Sequence, residues 1–113
     1  MTAAEAYEAA IVPVLGQPRI TEGTGFGKTP GLKVGGKIFA MLVGDELVAK
    51  LPRERVDALV DTGVATRFDP RRDGRLMKEW ASVPLISADR WPALVAEAYA
   101  FVASQTEPAG DAS

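Results

Sequence analysis

Two apolar runs, Ile38–Val43 and Glu46–Leu51, face each other across Gly44-Asp45, and this arrangement constrains the fold more than anything else in the chain. Glycine then aspartate between two β-rich runs is a signal for a two-residue hairpin turn. Pairing across that turn sets Leu42 against Leu47, Ala40 against Ala49 and Ile38 against Leu51. Strand side chains alternate between faces, so this register predicts one wholly aliphatic face, suited to a core. The opposite face is mixed, with Phe39, Met41, Val43 and Val48 beside Lys37, Glu46 and Lys50. Helices are expected on the first face. The second is expected to be covered only partly, or by a partner.

The flanking segments build outward from this hairpin. Thr2 and Glu5 have capping-box spacing, and Tyr7, Ala10, Ile11, Val14 and Leu15 follow at helical intervals. Pro13 removes a backbone donor, so regular helix is expected to end or kink near Val12. Residues 23–36 read as a glycine-rich loop leading into a short strand, Leu32–Val34, with Gly35-Gly36 as a tight turn. Pro52 opens a second helix with Val56, Leu59 and Val60 as its apolar stripe and Gly63 past its end. Val64–Phe68 and Leu76–Val83 suggest another hairpin. A last helix is expected from Ser87 or Asp89, with Pro92 in its first turn and a stripe of Trp91, Leu94, Val95, Ala98, Tyr99 and Val102. The polar tail, residues 104–113, is expected to be disordered. The expected class is α+β, a mainly antiparallel sheet of about five strands flanked by three helices, with residues 1–103 forming one domain.

Composition bears chiefly on chemistry. Among 113 residues there is no cysteine and no histidine, which removes disulfides, thiolate zinc sites and Ser-His or Cys-His catalysis. An enzyme built from this chain would depend on carboxylates, lysine, tyrosine or an oxygen-ligated metal, and no such constellation stands out. No enzymatic activity, metal or cofactor is therefore expected. The longest apolar runs fall far short of the roughly 18 residues that cross a bilayer, and the first residues carry no signal-peptide pattern. No membrane association is expected, and the cytoplasm is the expected compartment. A net charge of −2 and a pI near 5.1 run against the basic excess usual in nucleic-acid binders.

Four features bear on function. Gly23–Thr29 ends in Gly-Lys-Thr, but a phosphate-binding P-loop needs four residues between its first glycine and the Gly-Lys pair, and only three lie here. Pro30-Gly31 also stands where the helix N-terminus should begin, so no nucleotide site is expected. Arg67, Arg71, Arg72, Arg75 and Lys78 gather around the second hairpin turn, among Asp69, Asp73 and Glu79. Five positive against three negative side chains suit either a loop that grips phosphates or a solvated turn whose charges pair with one another. Trp80 on the neighbouring strand suits core packing or stacking on a ligand, and Phe26 suits a pocket wall or an anchor for the glycine loop.

The order and spacing of several blocks resemble the MmcQ/YjbR-like family. They are Phe26-Gly27-Lys28, Gly31–Met41, Leu47–Pro52, Arg75–Trp80 and Val83-Pro84. The chain is similar, more distantly, to the TfoX N-terminal domain. The likeness runs over residues 24–103 and implies a compact α+β fold with a central antiparallel sheet. It also implies DNA binding by fold analogy. Two functional expectations follow. One is a DNA-binding accessory protein using Arg67, Arg71, Arg72, Arg75 and Lys78, with Lys28 and Lys33. The other is a non-enzymatic module that meets a protein, a small ligand or a second copy through the mixed sheet face.

Overall fold

The computed structural model describes residues 2–24, 30–68 and 77–105. Helix α1 (Ala3–Leu15) begins at the capping box: Glu5 N–H donates to Thr2 Oγ1 at 3.1 Å and Thr2 N–H to Glu5 Oε1 at 2.9 Å. These bonds hold the Glu5 carboxyl below its ordinary range. Contrary to the sequence expectation, α1 runs through Pro13 to Leu15. Proline deprives only the Ala9 carbonyl of a donor, and both Ala9 and Pro13 face solvent, where water replaces the lost bond. Leu15 also departs from its predicted stripe and lies 42% exposed.

Four strands follow as a meander: β1 (Ile20–Thr24), β2 (Pro30–Val34), β3 (Lys37–Val43) and β4 (Glu46–Lys50). Strand β1 was not foreseen, because Ile20–Thr24 has a single large apolar residue and its last two residues were read as loop. Gly35 and Gly36 have φ of 57° and 84°, and Gly44 has φ of 60°, so both turns use the left-handed region at glycine. Helix α2 (Arg53–Asp61) then leads to β5 (Thr66–Phe68) and β6 (Met77–Pro84). A 3-10 turn, Leu85–Arg90, enters helix α3 (Trp91–Gln105), which extends two residues beyond the predicted start of the tail. Residues 106–113 lie outside the described residues.

All six strands form one antiparallel sheet in the order β1-β2-β3-β4-β6-β5. Because β4 and β5 each run antiparallel to β6, they run parallel to one another, and α2 makes the crossover between them. The three helices contribute to one main core over one sheet face, including Leu32, Phe39, Ala40, Leu47, Ala49, Leu51, Ala81 and Val83 beneath Ile11, Val56, Trp91, Leu94 and Val95. Helix α2 ends as anticipated, with Gly63 at φ 78°. Gly63 N–H bonds the Val60 carbonyl at 3.1 Å and Val64 N–H the Leu59 carbonyl at 3.0 Å, the double closure of a Schellman motif.

The hairpin register around Gly44-Asp45 is as read for Leu42 with Leu47 and Ala40 with Ala49. The expected partnership of Ile38 with Leu51 is not formed. Leu32 pairs with Ala40 and Lys33 with Ile38, so Phe39 is the extra residue of a bulge in β3. A bulge breaks strict alternation, and here it turns Phe39 into the helix-covered core, fully buried, while Ile38 is only half-buried. The Phe39 ring meets Tyr99 of α3 edge-on at 5.7 Å. Leu51 lies past the end of β4 and gives its N–H to the Glu79 carbonyl at 2.9 Å.

Candidate functional site

The β5–β6 register shifts between Arg67 and Phe68, and the contacts of the two side chains place them on opposite faces of the sheet. Phe68 joins Met41 and Val48 on the second face, with Val43 and Trp80 packed against them. Arg67 sits opposite Ala81, a residue of the main core, and so projects toward the helix layer. There α2 crosses β5 and β6. Arg53 and Asp57 lie four residues apart on α2, on one side of that helix. Asp57 Oδ1 accepts from Arg67 Nη2 at 2.5 Å.

These three residues and Lys78 of β6 line an open cavity of about 330 Å³. Among the described residues its lining is three cations and one carboxylate, a net positive set on a chain of net charge −2. Arg53 and Lys78 are exposed, while the Arg67 and Asp57 side chains are 29% and 43% exposed. Arg53 is also the first residue of α2, and Pro52 at its N-cap offers no side-chain acceptor. The positive end of the helix dipole therefore borders the recess. Guanidinium and ammonium groups that are at least partly exposed form a chemistry that receives oxyanions.

The residues expected from the sequence are only partly gathered. Arg67 and Lys78 share the cavity. Lys33 is half-buried on β2, four strands from β5 and so about 19 Å away across the sheet. It belongs to a different region. Arg71, Arg72, Arg75 and Lys28, with Phe26, Asp69 and Asp73, lie outside the described residues. Arg53 and Asp57 were missed because Pro52–Gly63 was read for its apolar stripe alone. Their i, i+4 spacing on the polar side of a helix linking two strands was the available signal.

The mixed second face proves less open than its composition suggested. Met41 and Val48 are fully buried and Phe68 is 7% exposed. The polar groups there engage one another: Ser82 Oγ donates to a Glu46 carboxylate oxygen, and Lys50 Nζ lies 5.9 Å from the centroid of the half-buried Trp80 ring. Trp80 is thus neither deep core nor a free platform. Among the described residues, no group of three or more acidic side chains is placed to hold a metal ion. No helix there is long and apolar enough to cross a membrane.

A six-stranded antiparallel sheet under three helices, with a recess lined by Arg53, Asp57, Arg67 and Lys78 where α2 crosses β5 and β6, defines an α+β protein. The YjbR family model matches residues 15–101, most of the chain, and the protein belongs to that family. No curated protein and no solved structure shows a significant match to it.

Proposed function

We propose that this YjbR-family chain is a DNA-binding accessory protein that holds the phosphate backbone at the corner where α2 crosses β5 and β6. The observation that carries the reading is the convergence of Arg53, Arg67 and Lys78 on one open cavity from three separate elements. The segment joining β5 to β6 adds Arg71, Arg72 and Arg75 in sequence next to this corner. Backbone contacts of this kind position a protein on a duplex without reading bases. The role is one of binding rather than catalysis, needs no cofactor, and belongs in the cytoplasm.

The test is fluorescence anisotropy of a short labelled duplex against the protein at two salt concentrations. Two effective phosphate contacts, from Arg53 and Lys78 with the Arg67 charge offset by Asp57, give a log–log slope of about −1.8, so affinity should fall roughly 12-fold between about 50 and 200 mM salt. Absence of binding at about 50 mM salt removes the reading. Binding whose affinity does not change with salt also removes it.

A further inference from the structure

Among the described residues, Asp57 is the one acid lining the recess, and its carboxylate already occupies Arg67. A carboxylate and a phosphate present similar oxygen pairs to a guanidinium, so the two compete for the same donors. Neither side chain is buried deeply enough to lock the pair: 29% of the Arg67 side chain and 43% of the Asp57 side chain remain open. We propose that Asp57 is an internal competitor that holds Arg67 in the free protein and must be displaced before Arg67 can grip phosphate. This rests on the phosphate-binding reading above and deepens it.

The consequence is selectivity for the class of anion. A single small phosphate gains one contact with Arg67 and loses the Asp57 contact in exchange. An extended phosphodiester also reaches Arg53 and Lys78, and those added contacts drive the displacement. The recess therefore favours a polyphosphate backbone over free phosphate. A second consequence concerns salt. While paired, Arg67 and Asp57 carry no net charge as a unit, and displacing Asp57 frees a carboxylate that takes up a cation, so Arg67 adds little net counterion release when the duplex binds.

The experiment compares the full chain with Asp57→Asn, Asp57→Ser and Asp61→Asn. Asp61 is an exposed acid at the far end of the same helix, outside the recess, and controls for a generic loss of one negative charge. Each protein is titrated with a short labelled duplex over a salt series, and separately with inorganic phosphate. Asp57→Asn should bind the duplex roughly two- to fivefold more tightly, the range an exposed ion pair commands. Its log–log salt slope should steepen by about 0.9, one additional effective contact. Asp57→Ser, which also removes the carboxylate, should steepen the slope in the same way, and Asp61→Asn should keep the unmodified slope. Free phosphate should bind Asp57→Asn more tightly than the unmodified chain, narrowing the preference for duplex.

If the unmodified chain binds duplex but Asp57→Asn behaves like Asp61→Asn, the competitor role is overturned and the binding role survives. If neither the unmodified chain nor Asp57→Asn binds, both are overturned. Asp57→Ser keeps the test open should the asparagine variant fold poorly.

Discussion

Replacing Tyr7 by phenylalanine should make this protein more stable, although most core substitutions do the reverse. Tyr7 lies on α1 at 5% exposure, and its hydroxyl has no hydrogen-bond partner among the described residues. Burying an unpaired hydroxyl costs about 1–3 kcal/mol, whereas the ring itself is favourably packed. Tyr7→Phe keeps the ring and removes the unpaired oxygen, so a gain of about 1 kcal/mol is expected at pH 8. In a domain of this size that raises Tm by roughly 4 °C or more.

The same buried hydroxyl gives the prediction a pH signature. Burial pushes the Tyr7 phenol up to about 12, and the negative charge of Glu22 adds to the effect. The unfolded chain ionises near 10, so it loses the proton first as pH rises. Stability from keeping the phenol neutral is complete below about pH 10 and is lost as pH climbs toward 12. At pH 11 that loss is about 1 kcal/mol, absent from the phenylalanine variant. Urea unfolding followed by circular dichroism should show the variant ahead by about 1 kcal/mol at pH 8 and about 2 kcal/mol at pH 11. A variant less stable at pH 8, or a gap that does not widen with pH, refutes the reasoning.

The bulge in β3 makes a prediction that simple alternation reverses. Phe39→Ala should cost about 3–4 kcal/mol and Ile38→Ala under about 2, measured by urea unfolding, because Phe39 is in the main core and Ile38 only half-buried. Equal costs, or a larger one at Ile38, would refute the bulge. Two glycines should respond with opposite signs to alanine. Gly63→Ala should lose about 1 kcal/mol through its φ of 78° alone, since a Cβ there meets nothing within 4 Å. Gly16→Ala, at φ −86° and equally unobstructed, should be neutral or stabilising by up to about 1 kcal/mol. Thermal melts distinguish the two.

What the sequence displayed and what it hid have separate physical causes. Features set by near neighbours were legible: the capping box at Thr2, the turns at Gly35-Gly36 and Gly44-Asp45, and the Schellman glycine at position 63. The hairpin's aliphatic face was legible down to Ala40 and Ala49, since side-chain parity alone defines it. Parity fails at a bulge, and the bulge at Phe39 depends on how β2 meets β3, which no local pattern encodes. Strand β1 went unseen because a short edge strand with one large apolar residue lacks a periodic signal. The recess was half legible. Arg67 and Lys78 stood out as charges near a turn, but Arg53 and Asp57 join them only once α2 crosses the sheet. Lys33 looked equivalent in sequence and is separated from them by the strand order.

The central claim is that the recess between α2, β5 and β6 is where a phosphate backbone lands. Its most direct test is a ¹⁵N–¹H correlation spectrum of the labelled protein during titration with a short duplex at about 50 mM salt. The account predicts that the amides of Arg53, Arg67 and Lys78 shift together, saturating on one binding curve, while those of Val48 and Tyr7 stay in place. Shifts centred on Val48 and Trp80, or on α1, with the recess unmoved, would contradict it.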